Sequence, residues 1–240
     1  LLEANMKRPV LNFGHCDSGL DQICLFLIKK ALSYSPEIVI VEQDPWAIHR
    51  VVNNYVNGYV KPHFHLSENG QLMLKKTPKL ARFKLFRKMI GSYYCYQKEL
   101  REYEAGINLT EGYHPSTDPI FLFWKTHYYD SPYQFVDKLL QVMKDFCRQN
   151  GIKLIFALGA VAQQFGPKSA SALIDYELPR KQLTHILGKN EIPYIDMTDS
   201  LLAGHSEQEP VIFADGQINA KGHGVFATVL HNQLERLGWA

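Results

Sequence analysis

Two unbroken apolar runs constrain the fold of this chain more than any other feature. The segments "EIVIVE" (37–42) and "IKLIFAL" (152–158) carry apolar side chains, many of them β-branched, without polar alternation. Such runs are typical of strands that are buried on both faces of a parallel sheet. Because amphipathic helical patterns lie between the strand-like runs, the order predicts βαβ units and a doubly wound α/β fold.

The spacing of apolar residues, together with residues that start, stop or break helices, predicts the remaining elements. Apolar residues at helical spacing predict helices over 21–34, 131–151, 171–191 and 220–238. Ser131 is a candidate N-cap, Asn150-Gly151 a helix stop, and Pro179 a break in the third of these helices. Shorter strands are predicted over 8–13, 192–197 and 211–216. In such a sheet, ligand sites lie at the carboxyl ends of the strands.

The middle of the chain departs from this alternation. Residues 61–76 predict two short strands around the turn Asn69-Gly70, and 80–105 predict an aromatic helix. We interpret 58–128 as an insertion at one edge of the sheet, within a single domain that spans 1–240.

Composition excludes several classes of protein. With 46% hydrophobic residues, 21% charged residues and a formal charge of +2, the chain is typical of a soluble globular domain. The basic stretch "LARFKLFRK" (80–88) reads as a solvated helix face, so no nucleic-acid partner is expected. No apolar run reaches the length of a membrane span, and no signal peptide is visible. Cytoplasmic and cell-envelope locations both fit.

The cysteines and histidines do not predict a metal or a cofactor. The chain has 4 cysteines without zinc spacing, and Cys24 and Cys147 are expected to be buried free thiols. His63 and His65 share one face of a predicted strand, but no third ligand with supporting spacing accompanies them. We interpret this pair as part of a hairpin surface.

The loop "GHCDSGLDQ" (14–22) is the first candidate for a functional site. Gly19 stands where a strand gives way to a helix, so its amide is a candidate to stabilise an oxyanion, or it only shapes a tight turn. Ser18 is a candidate nucleophile, although the sequence shows no base for it and no G-x-S-x-G motif.

Two further loops are expected at the same edge. After the buried strand, Gln43 and Asp44 are candidates to line a pocket, with Glu42, His49 and Arg50 beside them. Asp44 is also a candidate cap for the helix that follows. In the last loop, Asp215 either orients a base or, together with Asn219, satisfies free amides at a helix entry. Gln217 cannot act as a general base. His223 is a candidate pocket residue that either packs against the strand ends with a structural hydrogen bond or takes part in catalysis.

The order of these segments resembles the SGNH hydrolases, also called GDSL-type esterases. Residues 10–41 resemble their second block with the helix and strand that follow, and 59–78 resemble a Pro-aromatic hairpin found in one branch of the family. Residues 192–203 and 213–234 are similar to the penultimate strand and the final block. The resemblance implies a flavodoxin-like three-layer α/β/α domain with a parallel sheet and an edge insertion.

The resemblance also implies roles for particular residues. Gly19 takes the place of the oxyanion glycine and Asp215 that of the triad aspartate, while Gln217 stands where the catalytic histidine belongs. The chain starts at "LLEANMKRP" without an initiator Met, so the first strand and its G-D-S serine are expected upstream of Leu1.

Two functions therefore stay open. The first is hydrolysis of acyl or acetyl esters, carbohydrate esters among them, by an enzyme without a cofactor. The second is a catalytically degenerate module that binds a small ligand or a glycan. Gln217 favours the second function.

Overall fold

The structure, a computed structural model, describes residues 1–14, 18–51, 55–56, 59–67, 69–75, 130–159, 177–206, 208–212 and 218–240. It confirms the α/β class. A small all-parallel sheet is flanked by helices, as in a flavodoxin-like fold. Contacts within the chain define two units: Leu1–His15, Ser35–Trp46 and Lys144–Ala240 form unit 1, while Cys16–Tyr34 and Ala47–Met143 form unit 2.

The described chain contains the following helices and strands. The α-helices are α1 (Leu2–Met6), α2 (Leu20–Lys30), α3 (Asp130–Gln149), α4 (Leu178–Lys189), α5 (Thr198–Gly204) and α6 (Ala220–Arg236). The strands are β1 (Ile38–Gln43), β2 (Tyr55–Val56), β3 (Tyr59–Val60), β4 (His63–Leu66), β5 (Leu72–Lys75), β6 (Lys153–Leu158) and β7 (Tyr194–Asp196). Two 3-10 helices span Ala31–Tyr34 and Pro45–Val51. No helix in these ranges combines the length and the apolar character that crossing a membrane requires.

The parallel sheet of unit 1 has the order β1-β6-β7. Its central strand β6 is buried from Leu154 to Leu158, as the unbroken apolar run predicts. One face of β6 packs into a cluster that α5 and α6 complete, and the fully or nearly buried members are Ile155, Ala157, Met197, Leu201, Val211, Leu230 and Leu234. The predicted strands at 37–42, 152–158 and 192–197 are thus confirmed.

Unit 2 contains α2 and the hairpin β4–β5. The buried face of α2 carries Leu20, Cys24 and Leu27 at spacings of three and four residues, which is the expected amphipathic pattern. The hairpin has an antiparallel register of His63 with Lys75 and Leu66 with Leu72. Gly70 has a φ of 70°, a left-handed conformation that glycine adopts without steric cost, which explains the predicted turn.

Segment 8–13 is not a strand, so this prediction is wrong. It has no regular structure, and the side chains of Leu11 and Phe13 remain 59% and 46% exposed. A strand needs a neighbour to receive its hydrogen bonds, and among the described strands β1 pairs with β6 alone. The edge position of β1 also explains why Ile38, Val39 and Ile40 are only half-buried.

The helices agree with the sequence more closely. Those predicted over 21–34, 131–151 and 220–238 are confirmed, and Gly151 ends α3 with a φ of 69°. Helix α4 begins at Leu178, with Pro179 in its first turn. The short helices α1 and α5 had no sequence prediction. Segments 80–105 and 211–216, and most of the insertion 58–128, lie wholly or partly outside the described residues.

Candidate functional site

The three parallel strands end at the same level. Gln43 is in register with Leu158, and Leu158 is in register with Asp196. The ladder continues one residue further, because the Gly159 N–H donates to the Gln43 carbonyl at 3.1 Å and the Met197 N–H to the Leu158 carbonyl at 2.9 Å. The carboxyl ends of all three strands therefore form one continuous edge.

Glu42 is the polar residue that ends an apolar row on β1. Ile38 and Ile40 pack against the buried cluster that contains Ile155 and Ala157. Glu42 lies two residues beyond Ile40 and in register with Ala157, so it projects from the same face of the sheet. Unlike the isoleucines, it is exposed, since it has reached the edge.

His223 ends the corresponding apolar stripe on α6. Leu234, Leu230 and Ala227 are buried, and His223 lies four residues before Ala227 on the same helical face. Because α6 packs against the same core cluster as Ile40, the stripe and the β1 row lie on the same side of the sheet, and both run toward its carboxyl edge. His223 is itself exposed.

The electrostatic environment of Glu42 agrees with this geometry. The carboxylate reaches solvent, but surrounding protein atoms still raise its pKa above the ordinary value. The positive charge of His223 acts in the opposite direction and lowers the pKa of Glu42. The charge of His223 therefore acts on the Glu42 carboxylate at an exposed edge of unit 1.

The start of α6 is fixed by Asn219. Its Oδ1 accepts a hydrogen bond from the Gly222 N–H at 3.0 Å, and its Nδ2 donates to the Pro210 carbonyl at 2.6 Å. Its own N–H donates to the Val211 carbonyl at 3.0 Å. The expectation that Asn219 satisfies free amides at a helix entry is confirmed, and these bonds also fix the helical turn that carries His223.

Gln43 is buried at the end of β1, with 3% of its surface exposed. Its Nε2 donates to the Asp44 carbonyl at 2.6 Å, and its Oε1 has no hydrogen-bond partner in the described structure. The Asp44 carbonyl fixes the orientation of the amide, because a flipped amide would turn its oxygen toward this carbonyl. Asp44 is exposed and immediately precedes the 3-10 helix Pro45–Val51.

The end of β7 is held by an ion-pair cluster. Arg180 of α4 donates to the Asp196 carboxylate and, at 3.0 Å, to Glu177. The other oxygen of Asp196 accepts a hydrogen bond from the Thr198 N–H at 3.0 Å, which caps α5. These bonds give Asp196 a structural role at this edge.

Ser18 and Gly19 belong to unit 2. Gly19 caps α2, and its N–H donates to the Gln22 Oε1 at 3.2 Å. A Cβ at Gly19 would lie 2.5 Å from the Asp21 Oδ1 and 3.1 Å from the backbone of Arg50. Close packing by itself therefore requires glycine at this position. Ser18 is half-buried.

The close packing at Gly19 surrounds a buried ion pair. Lys61 Nζ donates to both Asp21 carboxylate oxygens at 2.8 Å and to the Arg50 carbonyl at 2.6 Å. Burial raises the pKa of Asp21 and lowers that of Lys61, and in each case the partner's charge opposes the effect of burial. This pair ties the start of α2 to the end of a 3-10 helix and to the residue two positions before β4.

The structure thus brings Gln43, Asp44 and His223 to the carboxyl edge of unit 1. Asp215 and Gln217 lie outside the described residues. His205 is oriented by the loop that follows α5, because its Nδ1 accepts a hydrogen bond from the Val211 N–H at 3.3 Å. Within the described ranges, no three His, Cys, Asp or Glu side chains are grouped so as to hold a metal ion.

Sequence reasoning did not identify the Glu42–His223 pair or the Asp21–Lys61 pair. Apolar spacing contained a signal for the first, since both residues extend a hydrophobic pattern by one step. Lys61 stands 40 positions from Asp21, and no local pattern links them. No family model matches the sequence, and no curated protein or solved structure matches it either.

Proposed function

We propose that this chain belongs to an SGNH-like ester hydrolase that acts on acyl or acetyl esters, carbohydrate esters included. The observation that carries the proposal is the carboxyl edge of unit 1, where the exposed residues Glu42 and His223 lie on the same side of the sheet. In doubly wound α/β domains this edge is the usual place for a ligand. Ester hydrolysis needs a group that accepts and returns a proton near neutral pH, and histidine does so.

The buried Gln43 adds support for a polar ligand. An amide oxygen that is buried without a partner costs about 1–3 kcal/mol, so a protein rarely keeps one without a use. Gln43 ends β1 at the same carboxyl edge as Glu42, although the two consecutive side chains project from opposite faces of the sheet. Hydroxyl groups, which carbohydrate esters carry in numbers, are suitable donors for such an oxygen.

A panel of esters tests the proposed function. The full-length natural protein is incubated with p-nitrophenyl esters of increasing acyl length and with acetylated oligosaccharides, and released alcohol and acid are quantified. We expect turnover of at least one class, with none for protein that has been heat-unfolded. A protein that hydrolyses no ester but binds the oligosaccharide by calorimetry would instead be the binding module that Gln217 favours.

A further inference from the structure

We propose that Gln43 and Thr198 form a recognition site for a neutral ligand that carries several hydroxyl groups, at the carboxyl edge of unit 1. The inference deepens the proposed function, on which its substrate class rests: the ester is carried by a carbohydrate and not by a simple apolar alcohol. The two side chains bind hydroxyl groups of the ligand and take no part in breaking bonds.

Both residues hold a buried oxygen that lacks a hydrogen-bond partner. The Oε1 of Gln43 and the Oγ1 of Thr198 are buried, and neither makes a hydrogen bond in the part of the chain that the structure describes. Only 3% of Gln43 and 1% of Thr198 are exposed. A buried polar atom without a partner destabilises the folded state, so proteins keep few of them. Two such oxygens at one edge of a sheet indicate partners that a ligand supplies.

The two oxygens belong to neighbouring parts of that edge. Gln43 ends β1, and Thr198 begins α5 two residues after Asp196, the last residue of β7. Because β6 lies between β1 and β7, the two strand ends are roughly 10 Å apart. Gly159 follows β6, and a Cβ at this position would meet none of the described atoms within 4 Å. A ligand that contacts both oxygens must carry hydroxyl groups over a comparable span, as an oligosaccharide does.

Each of the two residues lies one position beneath the surface. Glu42 and Asp44, on either side of Gln43 in the sequence, are exposed, and so is Asp199 next to Thr198. A group that enters at the edge therefore has only the outermost side chains to pass. The three exposed carboxylates also disfavour an anionic ligand, because like charges repel.

The free atoms of the two side chains select hydroxyl groups. The Nε2 of Gln43 already donates to the Asp44 carbonyl at 2.6 Å, so the amide offers a ligand only its acceptor oxygen. An acceptor would repel an oxyanion, so Gln43 is suited to recognition and not to stabilising a transition state. The Thr198 hydroxyl both donates and accepts, as a ligand hydroxyl does. Burying a neutral hydroxyl at these atoms costs far less than burying an ammonium group.

A thermal melt of Thr198→Val tests the unpaired hydroxyl without any ligand. Valine keeps the shape of threonine and removes the hydroxyl, so we expect the Tm of the full-length natural protein to rise by about 2–4 °C. Thr184→Val is the matched control, because the Thr184 hydroxyl donates to the Arg180 and Lys181 carbonyls at 3.0 Å, and its Tm should not rise. A Thr198→Val variant whose Tm stays equal or falls overturns the site, since the folded protein itself would then use this hydroxyl.

A comparison of two kinds of acetyl ester tests the recognition itself. In the full-length natural protein, kcat/KM is measured for p-nitrophenyl acetate and for acetylated xylo- and cello-oligosaccharides, which alone offer hydroxyl groups beside the ester. We expect Thr198→Val and Gln43→Met each to lower kcat/KM for the oligosaccharides by about 3- to 10-fold. Both variants should keep kcat/KM for p-nitrophenyl acetate within about twofold of wild type, and Thr184→Val should change neither value.

The outcomes separate this inference from the proposed function. An enzyme that hydrolyses p-nitrophenyl acetate, but whose kcat/KM for the oligosaccharides responds to neither substitution, overturns the recognition site and leaves the hydrolase proposal standing. A natural protein that turns over no ester overturns the hydrolase proposal, and calorimetry with the same oligosaccharides then tests the site alone. A Kd that is about 3- to 10-fold weaker in Thr198→Val supports the site. An unchanged Kd, or no binding to the wild type, overturns it.

Discussion

The Lys61 ammonium uses its N–H donors inside the protein, on both oxygens of Asp21 and on the Arg50 carbonyl. Lys61→Met would leave the buried Asp21 carboxylate without its partner. We expect the free energy of unfolding to fall by about 3–5 kcal/mol in urea titrations at neutral pH. Lys29→Met, at an exposed lysine of α2, is the control and should have little effect.

A double substitution separates charge from packing at this site. Asp21→Leu with Lys61→Met removes both charges, so most of the lost stability should return. A Lys61→Met variant whose free energy of unfolding stays within about 1 kcal/mol of wild type would show that Lys61 is not needed to stabilise the buried Asp21 carboxylate.

The cost of Lys61→Met should depend on pH. The pKa of Asp21 is higher in the folded state than in the unfolded state. Protonation of Asp21 therefore stabilises the folded state at a pH below the unfolded-state pKa of about 3.9, and this stabilisation is lost as the pH rises through the folded-state pKa. Removing Lys61 raises the folded-state pKa of Asp21 further, so the loss of unfolding free energy at neutral pH becomes larger. The difference in unfolding free energy between variant and wild type should therefore narrow from pH 7 to pH 4. An equal difference at both pH values would contradict this account.

Two glycines of α6 that are two positions apart should respond in opposite ways to alanine. A Cβ at Gly222 would overlap the Val211 carbonyl oxygen and Ile218, whereas a Cβ at Gly224 meets nothing within 4 Å. We expect Gly222→Ala to destabilise the protein by about 1–3 kcal/mol, and Gly224→Ala to stabilise it by about 0.5–1 kcal/mol. Thermal melts of the two variants provide the comparison, and melting points that shift in the same direction would argue against it.

At the scale of elements, the start of α6 depends on one side chain. Asn219→Ala removes both the cap on Gly222 and the bond to the Pro210 carbonyl. We expect a loss of about 0.5–2 kcal/mol in urea titrations and faster amide exchange in the first turn of α6. Asn219→Asp keeps the capping oxygen and should lose less. If Asp were as disruptive as Ala, the bond to Pro210 would be the more important contact.

Elements with strong local patterns were predictable from the sequence. The buried run of β6 and the amphipathic stripes of α2, α3 and α6 indicated the type of each element, and its bounds to within a few residues. The short helix α5 was missed because seven residues give too few turns for a periodic signal. The prediction of a strand over 8–13 was wrong because strand formation depends on a partner strand that local sequence does not specify.

The candidate site was predictable only in part. Gln43 and Asp44 follow a recognisable buried strand, so their position at the carboxyl edge could be inferred. The location of His223 on the same side of the sheet as Glu42 depends on how α6 packs against the core cluster, which is a tertiary property. The Asp21–Lys61 pair shows the same limit, because a lysine in "YVKPHF" is typical of a surface.

At the scale of the whole molecule, the protection of backbone amides from hydrogen exchange should be greatest in the parallel sheet. β6 is paired on both sides and buried from Leu154 to Leu158, so we expect its amides to exchange most slowly with deuterium. The amides of 10–13, which lack regular structure, should exchange among the fastest. Protection of 10–13 equal to that of β6 would show that this segment pairs as a strand after all.

The division of the chain into units has a consequence for how such a protein can change over generations. Unit 1 is drawn from three separate stretches and unit 2 from two, so the polypeptide passes back and forth between them. Neither unit corresponds to one continuous piece of coding sequence. A single recombination breakpoint between positions 47 and 143 would split both units, so neither can be exchanged as a cassette while the other is left whole. The two units are therefore inherited together, and each must diversify mainly by substitutions and by insertions into its loops.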